Sequence, residues 1–135
     1  MSDTPIPQNI GDRIAGGLWG LLVGDALGVP YEFHDPEAIP APAQIDFVPP
    51  AGFRRAHAGT PPGTWSDDGA HALCLLASLL EKGLLDPEDL MIRLSQWYET
   101  GYLAVDGKVF DVGIQTTRAL QAFRLGTPAL EAGPC

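Results

Sequence analysis

One stretch limits what this chain can become more than any other: Asp67 to Lys82, "DDGAHALCLLASLLEK". Leu73, Leu75, Leu76, Leu79 and Leu80, with Cys74 and Ala77, leave almost no polar face on a helix drawn through it. Its start is marked by Ser66-Asp67-Asp68, since serine is a favoured N-cap and first-turn acids gain about 0.3–1 kcal/mol each from the helix dipole. Gly83 marks its stop. A helix apolar nearly all round belongs in the middle of a helical assembly. The expectation is an all-α protein with this helix at its centre.

Other segments repeat the helical period. Asn9 is an N-cap candidate for a helix to about Leu27, with Ile10, Ile14, Leu18, Leu21 and Leu22 as its apolar stripe. Gly16, Gly20, Gly24 and Gly28 recur every four residues and share a face. Each costs roughly 1 kcal/mol relative to Ala in a helix, so close approach of a helix backbone or a ligand is expected to offset them. Asp86-Pro87-Glu88-Asp89 opens a further helix that places Leu90, Leu94, Trp97 and Tyr98 at helical spacing and ends near Gly101. The loop "YLAVDGKVF" leads to a last helix, about Val112 to Leu125, stopped by Gly126 and Pro128. No run alternates like a half-buried strand.

Between them, residues 29–64 hold eight of the thirteen prolines and show no periodicity. A loop of that length is usually functional or disordered, and Ile45, Phe47, Val48 and Phe53 are candidates to pin it. Residues 1–8 read as a polar, flexible tail, and 9–135 as one domain containing the 29–64 loop.

Composition removes several function classes. A net charge of -9 repels phosphate backbones, so nucleic-acid binding is not expected. Only Cys74 and Cys135 occur, which argues against a disulfide framework. The N-terminus has no basic segment followed by an apolar run, and the apolar run Ile14–Gly24 falls short of the roughly 20 residues a bilayer span needs. A cytoplasmic location without membrane contact is expected.

Ser66-Asp67-Asp68 has a bland reading, a helix start and nothing more. Two facts count against it: the cluster ends a long loop, and it opens a buried helix. Adjacent desolvated carboxylates repel each other and take up protons unless a cation compensates them. Hard oxygen ligands suit Mg²⁺, Mn²⁺ or Ca²⁺ rather than Zn²⁺. A second signal is "GLLVGDALGVPYEF". Asp25 reads as a polar anchor for loop amides. Glu32 lies between Tyr31 and Phe33, aromatic neighbours that could shield it and raise its pKa, as acid–base work needs. His34, His57 and His71 show no paired metal-ligand spacing, and His71 reads as a polar contact at the helix start.

Together, "GGLWGLLVGDALGVPYEF", "GTWSDDGAHALCLLASLLEKGLLDPEDL", "QWYETGY" and "GKVFDVGIQTTRALQAF" resemble the ADP-ribosylglycohydrolase family, in the family's order and over residues 10 to about 133. The resemblance implies an orthogonally packed helical bundle and a binuclear Mg²⁺ or Mn²⁺ centre. It implies a hydrolase that removes ADP-ribose from a modified protein side chain or a small ADP-ribose derivative. By position, Ser66, Asp67 and Asp68 match metal ligands and Glu32 a catalytic acid–base group. Asp111 matches a catalytic acid facing the ribose, and Gly113 lies with it in the substrate-binding "FDVG" segment. Asp25 looks like a neighbour of the site and not a ligand.

Two departures stand out. Gly69 replaces the family's usual Thr after the acid pair, and His71 stands where an apolar residue is usual. Family domains are also roughly twice as long, and the C-terminal D-x-D-T-type ligands have no counterpart, because the only acid after Asp111 is Glu131. On that pattern the chain is expected to be a truncated, N-terminal part: a fragment, a degenerate copy or a partner-dependent half with a missing C-terminal half. The competing function is a non-catalytic, crystallin-like binding or structural module.

Overall fold

Asn9 opens the first helix as its position predicts, its side-chain oxygen accepting the Asp12 N–H at 2.7 Å. The computed structural model describes residues 9–133, so the expected tail at 1–8 lies outside the described residues. Among these residues there are helices and turns and no strand, as the all-α reading requires. The chain divides after Gly63 into two compact units.

In the first unit, α1 spans Ile10–Gly28 and runs directly into a 3₁₀ turn, Val29–Tyr31. Pro30 fixes φ in that turn and ends the α-helical pattern. Two more short turns, Pro36–Ala38 and Pro42–Gln44, each begin on a proline, so the expected loop is an irregular chain punctuated by proline-led turns. Tyr31 pins it: its hydroxyl donates to the Asp46 carbonyl at 2.9 Å and accepts the Asp46 N–H at 3.1 Å. Phe53 is the second pin, its ring 5.2 Å from Tyr31 and 4.6 Å from His34. Val48 does not act as one and is exposed.

Two expectations for α1 need correction. A Cβ built at Gly16, Gly20, Gly24 or Gly28 meets none of the described atoms within 4 Å, so the glycine stripe is not a close-packed seam here. The apolar run was also counted too short. Ile10–Tyr31 is a continuous helical stretch of 22 residues, long and apolar enough to cross a membrane by length and composition alone. Core helices of soluble proteins pass the same test.

The second unit holds α2 (Asp67–Lys82), α3 (Pro87–Thr100) and α4 (Ile114–Arg124). The ends are where local chemistry puts them. Asp86 caps α3 through the Asp89 N–H, and Gly83 and Gly101 close α2 and α3 in the left-handed conformation. The core is Ala70, Cys74, Trp97 and Leu120, with Leu90, Leu94, Tyr98 and Val109 packed around it.

α2 is not the all-round buried helix expected. Its buried face is the small one, Gly69, Ala70, Cys74 and Ser78, while Leu80 stays 77% exposed and Leu75 and Leu79 partly so. The physical reason is that small side chains at 70, 74 and 78 let α3 come close. A central position needs partners on every side, and within this unit α2 packs chiefly on α3. Arg93 fastens the pair, donating to Asp89 at 2.7 Å along α3 and to Glu81 of α2 at 2.5 Å.

Candidate functional site

The segment "TWSDD" is held from both sides. Trp65 donates its indole N–H to the Leu103 carbonyl at 3.1 Å, tying the entry of α2 to the loop that follows α3. Ser66, nearly fully buried, accepts the Asp68 N–H on Oγ at 3.4 Å, which makes it the N-cap expected. Asp67 is half-buried and Asp68 exposed. The helix start is real, and the carboxylates differ in environment.

The electrostatics at Asp67 show what the cap alone does not explain. Burial pushes its pKa above the usual carboxylate range, and the negative charges of Asp68 and Asp111 push it further. His71, one turn on, and the Ser66 hydroxyl act in the opposite sense. The fold thus brings the field of Asp111, which is distant in sequence, onto the head of α2. A bound cation is the ordinary way to relieve such a concentration of negative charge, and the oxygen donors fit Mg²⁺ or Mn²⁺.

Asp111 itself sits at φ 56°, in the left-handed region, which is uncommon for a residue other than glycine. Leu103 and Asp106 in the same loop do likewise. Strained backbone of this kind gathers at functional sites. Gly113 follows as the N-cap of α4 and has no side-chain capping bond to offer. The only acid after Asp111, Glu131, is exposed. Among the described residues of this unit no second acidic group gathers, so the binuclear centre implied for the family is not assembled here.

His71 packs against the core. Its ring meets Trp97 edge-on at 4.5 Å, its Nε2 is buried with no hydrogen-bond partner among the described residues, and burial lowers its pKa.

In the first unit, Glu32 follows the buried Val29–Tyr31 turn. The expected aromatic shielding is not what surrounds it: Phe33 is 82% exposed, at φ 60°. Instead the Glu32 carboxylate pairs with His57, Oε2 to Nε2 at 2.7 Å, both side chains largely buried. No sequence signal pointed to His57, because the two residues are 25 positions apart and the segment between has no periodicity. Asp25 is half-buried near the end of α1, and its backbone carbonyl accepts the Val29 N–H as the helix closes.

Comparison with known proteins shows what the chain is similar to. An ADP-ribosylarginine hydrolase of Pseudomonas putida is 35% identical over 122 residues, covering 89% of this chain and 30% of its own length. A second ADP-ribosylarginine hydrolase, from Serratia proteamaculans, is 35% identical over 112 residues, covering 83% of this chain and 28% of its own. The ADP-ribosyl-[dinitrogen reductase] glycohydrolase of Rhodospirillum rubrum is 28% identical over 120 residues, covering 85% and 36%. The chain thus spans about a third of the length of these curated relatives. The ADP-ribosylglycohydrolase family model matches residues 6–134, nearly the whole chain. From α1 through the acid-capped head of α2 to the turn after α4, the chain belongs to the ADP-ribosylglycohydrolase family.

Proposed function

We propose that this chain supplies the metal-dependent hydrolytic chemistry of its family, releasing ADP-ribose from a modified protein side chain, with arginine the favoured acceptor. Two of the relatives described are ADP-ribosylarginine hydrolases, which supports that acceptor. The observation that carries the reading is the half-buried Asp67 beside Asp68 at the head of α2, its pKa raised first by burial and then by the charges of Asp68 and Asp111. Carboxylates are held together at such a cost where a cation is to be bound.

In this reading Ser66, Asp67 and Asp68 hold Mg²⁺ or Mn²⁺. A bound cation supplies Lewis-acid polarisation and fixes the orientation of ribose hydroxyls and water. Asp111 and Gly113 meet the ribose, with the Asp111 carboxylate facing the positive charge of an oxocarbenium-like transition state. Glu32 moves the proton between water and leaving group. A cytoplasmic location goes with a modified intracellular protein as substrate.

The test is ADP-ribose release from an ADP-ribosylated arginine protein, with Mg²⁺, with EDTA, and with Asp67→Ala. Release that needs both Mg²⁺ and Asp67 is the expected result. Release that persists in EDTA, or in the variant, overturns the metal assignment. One feature favours a second reading, a non-catalytic binding or structural module. Gly69 is buried in the first turn of α2, where the family usually has a hydroxyl that can support a ligand. Mg²⁺ titration by calorimetry separates the two, since a purely structural module has no reason to bind Mg²⁺ through Asp67.

A further inference from the structure

We propose that His57 is the positioning residue for Glu32. The inference rests on the reading of Glu32 as the acid–base group.

The geometry is specific. His57 Nε2–H donates to Glu32 Oε2 at 2.7 Å, with side chains 17% and 28% exposed. Both partners sit on backbone fixed by other bonds. The Ala56 N–H donates to the Pro30 carbonyl at 2.8 Å, bringing the two segments side by side one residue before His57 and two before Glu32. Phe53 packs on Tyr31 and His34, and His34 Nδ1 lies 2.7 Å from the Glu32 carbonyl oxygen. The His57 carbonyl accepts the Thr60 N–H at 2.8 Å, closing the turn beyond.

Strain marks the same place. His57 at φ 47° and Phe33 at φ 60° both occupy the left-handed region, and their rings lie 5.5 Å apart. A pin that only closed a loop could use any apolar contact and relaxed backbone. Left-handed backbone at His57 itself and at Phe33, next to Glu32, is the kind of strain that gathers where a side chain is held in a set orientation. An acid–base carboxylate must be held in place for the transfer, since even a misplacement of about 1 Å can cost on the order of 100-fold in rate. Holding Oε2 on the imidazole fixes the plane of the carboxylate, and so the direction in which it takes or gives a proton.

The test is a set of four variants of this chain: Glu32→Gln, His57→Ala, His57→Gln and the Glu32→Gln/His57→Ala double variant. The readout is kcat and KM for ADP-ribose release from an ADP-ribosylated arginine protein with Mg²⁺. Glu32→Gln is expected to lower kcat by about 10²–10⁴-fold. His57→Ala is expected to lower kcat by about 10–100-fold with KM nearly unchanged. His57→Gln, which keeps an N–H donor, should recover most of that loss. The double variant should be no slower than Glu32→Gln, because His57 acts through Glu32.

If Glu32→Gln stays fully active, the acid–base reading of Glu32 fails. If Glu32→Gln is slow but His57→Ala is not, or if the two losses simply add, the positioning role fails and the reading of Glu32 stands. A second measurement needs no turnover. In ¹⁵N-histidine-labelled protein, the His57 Nε2–H should give a slowly exchanging signal that disappears in Glu32→Ala. Its absence from the wild type, or its survival in the variant, overturns the proposal.

Discussion

Gly83 and Gly101 are a matched pair on which the packing of the second unit can be tested. Each closes a helix in the left-handed conformation, at φ 71° and 73°, with its N–H bonded 2.9 Å from the carbonyl four residues back. They differ in what lies beside them. A Cβ at Gly83 meets nothing within 4 Å, whereas one at Gly101 would lie 2.7 Å from the Gly107 Cα and closer still to its carbonyl. An alanine in the left-handed conformation costs about 1–2 kcal/mol. Restricting the unfolded chain returns about 0.4–1 kcal/mol. Gly83→Ala should therefore destabilise by about 1 kcal/mol. Gly101→Ala must also push back the 101–107 loop, and overpacking adds about 1–3 kcal/mol. Its expected loss is about 3 kcal/mol. Urea unfolding followed by tryptophan fluorescence reads both, since Trp97 is buried in the core. Equal losses for the two variants would refute the close approach of Gly107 to the end of α3.

Two further predictions use side chains in the core. The Cys74 thiol is fully buried, its pKa pushed up to about 11 by burial. In a Cys135→Ser background it should resist iodoacetamide at pH 8 in the folded protein and react in urea; rapid labelling of the folded protein would show the Cys74 site to be open. His71 is held neutral, since burial lowers its pKa from 6.5 against the opposing pull of Asp67 and Asp68. A depressed folded pKa gives stability that is whole above 6.5 and lost as pH falls through the folded value. His71→Gln should remove that part of the acid sensitivity, so urea midpoints compared at pH 7.5 and pH 5 should converge relative to wild type. An unchanged pH dependence would sink the argument.

What the sequence alone determined about this protein is local. Asn9, Ser66 and Asp86 were legible as helix starts, and Gly83 and Gly101 as stops, because a cap satisfies backbone groups within one turn of itself. The all-α class followed from the same short-range periods. The segments that resemble the family were legible too, because they lie in unbroken runs.

Tertiary structure decided everything that depends on residues far apart in the chain. It chose the small face of α2 over its leucines as the buried one, because only that face lets α3 approach closely. It left the glycines of α1 without a close neighbour among the described residues. It carried the charge of Asp111 onto Asp67 through a loop with three left-handed residues other than glycine. It set His57 against Glu32, where adjacent aromatics had seemed the obvious neighbours. Periodicity reports which face a residue occupies and is silent on what that face meets. Fields and hydrogen bonds act through space, so the partners of Glu32 and Asp67 exist only once the loops that carry them are folded.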